Sequence, residues 1–78
     1  MFYVYVLYSQ KIDSLYIGQT KALDRRLTEH FEGESFYTKR ADDWKHIHTE
    51  EFETRSKAMK REKQLKSAKG RDYLRNLL

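Results

Sequence analysis

The segment Phe2 to Ser9 constrains this chain most, because it is aromatic or β-branched at nearly every position and offers no polar face to water. A strand of this kind has to be covered on both sides, which makes it the central strand of a sheet with packing above and below. With 78 residues there is room for one domain, residues 1–78, and a second domain is excluded. There is no cysteine, so neither a disulfide framework nor a cysteine-ligated zinc site supports the fold, and stability has to come from packing.

The remaining elements follow from local signals. Gln10 to Ser14 is polar and short, with Asp13-Ser14 as turn formers, and Leu15 to Gln19 resumes a strand pattern, so the two strands form a hairpin that brings Tyr5 near Tyr16. Thr20 is placed to cap a helix from Lys21 to about Glu32, and Gly33 to end it in a left-handed conformation. A loop or short helical turn covers Glu34 to Asp43. His46 to Phe52 alternates as a third strand, and Thr54 or Ser56 caps a second helix running to about Lys69, ended by Gly70. A short helix around Asp72 to Leu78 closes the chain. The expected fold is α/β (α+β), a small three-stranded antiparallel sheet flanked by helices in the order ββαβα, with that short C-terminal helix.

Helical projection picks out particular side chains. At about 100° per residue, Leu23, Leu27 and Phe31 form an apolar stripe on the first helix, with His30 at its edge and Arg26 just beyond, while Arg25 points toward solvent. Arg26 and His30 are four apart, so they can reach a common ligand or serve simply as surface and boundary residues. On the second helix Ala58, Met59 and Leu65 define the stripe, and Glu62 falls within it. An unpaired buried carboxylate costs several kcal/mol, so Glu62 has to be ion-paired, with Arg26 or Lys66, or exposed in a cleft, or holding a cation. Magnesium suits so sparse a protein site, since it keeps waters and shares phosphate oxygens.

Charge is segregated. Residues 1–54 carry seven Lys and Arg against ten Asp and Glu, whereas residues 55–78 carry nine (Arg55, Lys57, Lys60, Arg61, Lys63, Lys66, Lys69, Arg71, Arg75) against Glu62 and Asp72. The C-terminal part therefore favours a polyanionic partner, or is a solvated basic helix. No apolar run approaches the roughly 18 residues of a membrane span, and the apolar start lacks a basic n-region and a cleavage site, so no membrane association is expected and a cytoplasmic location is the simplest reading.

Tyr3-Val4-Tyr5, followed after a short hairpin by Tyr16-Ile17-Gly18, resembles the paired tripeptides of the GIY-YIG nuclease superfamily. The likeness continues through Asp24-Arg25-Arg26-Leu27, Glu29-His30, Trp44-Lys45, Glu51-Phe52 and Ala58-Met59-Lys60-Arg61-Glu62 to Leu65-Lys66, nearly the whole chain, and is similar to a small stand-alone, single-domain clade of UPF0213-like proteins. The resemblance implies a metal-dependent endonuclease that hydrolyses DNA phosphodiester bonds with one Mg2+ (or Mn2+) ion and no small-molecule cofactor. Tyr5 and Tyr16 would lie beside the attacking water and the phosphate, one of them as general base. A free phenol has a pKa near 10, so that role needs a nearby cation. Arg26 would hold phosphate oxygens through its planar fork. His30 would relay a proton or orient water and tyrosine, and Glu62 would be the single metal-binding carboxylate. Gly18 would let phosphate or a neighbouring helix approach the strand. Tyr3 stands where the name has glycine, no asparagine follows Glu62 closely enough to carry over an orienting role, and Lys69 to Asp72 lacks a tryptophan found in relatives.

Arg25, Lys60, Arg61, Lys66 and Lys69 are the expected contacts to the DNA phosphate backbone. With no groove-reading element evident, selectivity for structure or single strands is expected rather than for sequence, with a recruiting protein as a further source of specificity. Tyr37 and Trp44 are candidates for stacking on unpaired bases, with core packing the commoner use of Trp44. Two other functions remain open: a catalytically weak nucleic-acid-binding module of the same fold, and a structural or protein-interaction domain in which the tyrosines only pack.

Overall fold

The computed structural model describes residues 1–78. Strands β1 (Phe2–Ser9) and β2 (Ser14–Thr20) form the hairpin, helix α1 (Leu23–Phe31) follows, a short 3-10 turn covers Thr38–Arg40, and β3 (Lys45–Phe52) leads into α2 (Arg55–Lys66) and α3 (Ala68–Arg75). The sheet is antiparallel in the order β2-β1-β3, so the doubly apolar segment is the central strand, as its sequence requires. At the hairpin tip Asp13 takes a positive φ of 46°, a conformation that aspartate tolerates better than most residues. Between Val6 and Leu7 the register of β1 with β3 slips, leaving Ile47 as the extra residue of a bulge.

Alternation along β1 divides the protein into two packed layers. Val4 and Val6, with Leu15 and Ile17 of β2, point to one face, where Ala58 and Leu65 of α2 and Leu74 of α3 complete an aliphatic core. Tyr5 and Leu7 point to the other, where Trp44, Tyr16, Tyr37, Leu23 and Leu27 cover them. Tyr37 and Trp44 belong to this layer: Tyr37 is half-buried against Tyr16, and Trp44 is buried with its Nε1 donating to the Thr38 carbonyl at 2.6 Å. Trp44 thus takes the core-packing use, and Tyr37 has Tyr16 and Arg40 against its ring rather than standing free to stack on a base. Phe36, 85% exposed, is the aromatic most open to solvent.

Helix boundaries depart from the sequence reading in instructive ways. Thr20 ends β2 instead of capping α1, and its Oγ1 accepts the Ala22 N–H at 3.0 Å in a local turn that delays the helix to Leu23. Gly33 behaves as expected. At φ 75° it lets its own N–H reach the His30 carbonyl and the Glu34 N–H reach the Glu29 carbonyl, which satisfies the last orphan acceptors of α1. Thr54 caps α2, its side chain accepting from the Lys57 N–H. Gly70 does not end α2. The helix stops at Lys66 because Ser67 turns extended and caps α3, accepting the Gly70 N–H, and the C-terminal helix accordingly begins earlier than Asp72. Gly70 then lies inside α3 against the end of α2, where a Cβ would come within 2.3 Å of the Gln64 carbonyl oxygen and 2.4 Å of Leu65 Cα.

Two residues expected in apolar stripes are exposed. On α1 the residue turned fully inward is His30, and Phe31 is 51% exposed. On α2 the buried line is Ala58 and Leu65, which centres the apolar face away from Met59, 53% exposed.

Candidate active site

The hairpin and α1 bring Tyr5, Tyr16, Arg26 and His30 together on the aromatic face of the sheet. Tyr5 is paired in register with Gly18, and Tyr16 with Leu7, so the two tyrosines are diagonal neighbours with ring centroids 6.1 Å apart. The group that crosses close to Gly18 is the Tyr5 phenol itself: a Cβ there would come within 2.8 Å of its hydroxyl and 3.1 Å of the Tyr16 ring. Glycine at this position is what allows the two rings to lie side by side.

His30 enters this layer from α1. Its ring centroid is 4.7 Å from that of Tyr16, and its Nε2 is 2.8 Å from the Tyr5 hydroxyl. Its other nitrogen, Nδ1, is 2.9 Å from Oγ1 of Thr38, which is fully buried. Burial, reinforced by the Arg26 charge and opposed by Glu29, lowers the His30 pKa from 6.5 to about 4, so the imidazole is neutral at pH 7. Burial and then the neighbouring Tyr16 raise the Tyr5 phenol above its ordinary value, and Arg26 offsets only part of the rise. That direction is opposite to what a phenolate base at neutral pH requires.

Arg26 remains about one-third exposed, with Nη1 donating to Glu29 Oε1 at 3.0 Å. The Glu29 carboxylate raises the already high pKa of its guanidinium further, with Tyr16 and Tyr5 adding to the effect. The cation therefore sits between a carboxylate on its own helix and the two phenols of the hairpin.

Glu62 approaches from the other side of the sheet. It lies on α2 in a shallow depression near the outer edge of β2, with Gln19, Met59, Lys63 and Lys66. Its side chain is 22% exposed, and Oε2 accepts from Lys66 Nζ at 2.7 Å, one of the two ion pairs the sequence allowed. No group of three or more His, Asp or Glu side chains is gathered as a preformed metal cage. A lone, accessible carboxylate does fit a hard cation that keeps waters and takes its other ligands from phosphate.

The basic residues divide by position. Lys60, Lys63 and Lys69 are exposed, as is Arg25 beside Tyr3 and Glu51. Arg61 is tied through Nε to both carboxylate oxygens of Glu50, at 3.0 and 3.1 Å, and lies over Tyr73, joining α2 to β3 and α3. Lys66 is held by Glu62. Sequence reasoning missed two contributors: Lys63, which shares the Glu62 depression, and Thr38, which lies in a segment with no periodic pattern and whose partner, His30, is eight residues away on α1.

The sequence profile of the GIY-YIG catalytic domain matches residues 1–76. The chain belongs to the GIY-YIG family. A UPF0213 protein of Natronomonas pharaonis is 44% identical over 66 residues, covering 83% of this chain and 76% of the relative. Another, from Haloquadratum walsbyi, is 41% identical over 66 residues, covering 83% and 73%. The solution NMR structure of the UPF0213 protein BH0048 from Bacillus halodurans superposes with a TM-score of 0.59 at 31% identity, over 99% of this chain and 85% of that one. GIY-YIG domains are generally nucleases, and they typically use divalent metals. No helix here is long and apolar enough to cross a membrane.

Proposed function

We propose that this GIY-YIG domain is a metal-dependent endonuclease that hydrolyses DNA phosphodiester bonds, selecting structure or single strands rather than sequence. The observation that carries the reading is the convergence of Tyr5, Tyr16, Arg26 and His30, from three elements, into one hydrogen-bonded and charge-coupled group. The scissile phosphate lies against Arg26, whose guanidinium leaves Glu29 in part to hold its oxygens and offset the charge that develops on them. The buried phenol does not need to ionise beforehand. As water attacks phosphorus in line, its proton passes to the Tyr5 oxygen while the Tyr5 proton passes to Nε2 of neutral His30, and the P–O bond to the leaving oxygen breaks.

Glu62 would hold one Mg2+ or Mn2+ ion, which when bound polarises the phosphate and stabilises the leaving oxygen. Lys66, which pairs with Glu62 in the free protein, would with Lys60, Lys63, Lys69 and Arg25 track the phosphate backbone. One observation favours the weaker alternative, a nucleic-acid-binding module of low activity: in the free protein the two charged candidates, on opposite sides of the sheet, are already compensated, Arg26 by Glu29 and Glu62 by Lys66.

Cleavage of single-stranded, duplex and branched DNA, with magnesium and with EDTA, separates these readings. Arg26→Ala and Glu62→Ala should each lower kcat about 100- to 1,000-fold, the usual cost of removing a transition-state charge partner. Equal cutting by wild type and both variants would assign the activity to a contaminant. Salt-sensitive binding without any cutting would establish the binding module.

A further inference from the structure

Thr38 belongs to neither tripeptide nor to the expected helix faces, yet it is one of the few fully buried polar residues. Its position is fixed from two sides. Trp44, buried itself, donates its indole N–H to the Thr38 carbonyl at 2.6 Å, and the following 3-10 turn holds the backbone of Thr38–Arg40. The hydroxyl is thereby set against His30, with Oγ1 2.9 Å from Nδ1 and 3.5 Å from the His30 carbonyl oxygen.

This hydroxyl admits two proton arrangements. Donation of the Thr38 O–H to Nδ1 would leave its 3.5 Å contact with the His30 carbonyl without a proton; because that carbonyl can only accept, the arrangement that uses both contacts directs the Thr38 O–H to it. Oγ1 then faces Nδ1 with a lone pair, and Nδ1 must carry the imidazole proton. In a neutral imidazole this leaves Nε2 unprotonated, 2.8 Å from the Tyr5 hydroxyl. The phenol is then the donor in that bond. We propose that Thr38 is a positioning residue that locks His30 in the Nδ1–H tautomer, so that Nε2 stands ready to accept the proton of Tyr5. The opposite tautomer would put an N–H against the phenol and leave nothing to receive its proton.

This inference rests on the proposed nuclease reading for its consequence in catalysis, but the tautomer itself does not. The groups facing the His30 ring are Tyr5 on β1, Tyr16 on β2, Arg26 and Glu29 on α1 and Thr38, and of these only Tyr5 and Thr38 hydrogen-bond its nitrogens.

The test is the pair of 15N chemical shifts of the His30 ring at neutral pH, measured with DNA cleavage on wild type, Thr38→Val and Thr38→Ser. Wild type and Thr38→Ser should show a protonated Nδ1 and an unprotonated Nε2. Thr38→Val, equal in shape but without the hydroxyl, should move population to the Nε2–H tautomer and lower kcat about tenfold or more, within the range a positioned acid–base pair supplies, with KM little changed. An Nε2–H tautomer in wild type overturns the proposal, as does a tautomer unchanged in Thr38→Val. Should that variant fail to fold, the wild-type and Thr38→Ser spectra still decide the assignment. A tautomer set by Thr38 in a protein that cuts no DNA would uphold the positioning role and remove the nuclease reading.

Discussion

The two faces of the same three strands are built in different ways. Beneath the sheet Val4, Val6, Leu15, Ile17, Ala58, Leu65 and Leu74 make an aliphatic layer without polar atoms in their side chains. Above it Tyr5, Tyr16, His30, Tyr37, Thr38 and Trp44 interleave rings with hydrogen bonds, and no buried side-chain polar atom of the molecule lacks a partner. The lower face gains from removing apolar area from water and specifies little beyond shape. The upper face has to satisfy directional bonds, and each such bond fixes a proton donor and acceptor in place. One layer supplies the stability that lets the other hold its polar groups in position.

The largest expected break of this comparison is on the lower face. Leu65→Ala removes a side chain that is 1% exposed and leaves a cavity between α2, the sheet and α3. A loss of about 2 to 5 kcal/mol is expected, which is a large fraction of the stability of so small a domain. Denaturant unfolding measures it. If the loss were under about 1 kcal/mol, the aliphatic layer would not be the principal support of the fold.

On the upper face the expected effect is smaller and depends on pH. The folded pKa of His30, about 4, lies below its ordinary 6.5, so on acidification the unfolded chain takes up the proton first. The stability linked to neutral His30 is complete above about 6.5 and is lost as pH falls from there toward 4, by up to a few kcal/mol. Asp13, Asp42, Asp43 and Glu50 have depressed values, so the stability linked to them begins to fail only near or below the ordinary carboxylate range. Urea midpoints from pH 7 to 4.5 should therefore fall in wild type and much less steeply in His30→Gln. Parallel slopes would mean that the His30 environment does not titrate with folding.

How far the sequence reveals each layer follows from this contrast. The order of strands and helices, the central place of Phe2 to Ser9 and the αL end of α1 at Gly33 all rest on short-range signals, periodicity and turn chemistry, and these can be read along the chain. So can the meeting of Tyr5 with Tyr16, since a hairpin fixes diagonal neighbours once its turn is short. Ser67 was hidden because one serine both ends α2 and caps α3, and a glycine three residues later looks like the more ordinary stop. Thr38 was hidden because its meaning lies in a tertiary bond to His30 and in the Trp44 anchor. The place of Arg61 in a basic run makes it an expected phosphate contact, but its bond to Glu50 depends on where β3 falls beside α2 and is not legible from the run.

Met59 gives the smallest effect and the sharpest test of the helical projection. A stripe drawn through Ala58, Met59 and Leu65 puts Met59 and Glu62 inside the core together; with the buried line through Ala58 and Leu65 alone, Glu62 moves to the margin and Met59 beyond it. The position of Glu62 at that margin is what allows a carboxylate on the aliphatic side of the sheet to meet solvent and Lys66 at the edge of β2, as the proposed cation site requires. If this is the true rotation of α2, Met59→Gln should change stability by less than about 0.5 kcal/mol, as ordinary surface substitutions do. A loss above about 2 kcal/mol would turn the helix back toward the first reading, bury Glu62, and take away its access to metal and phosphate.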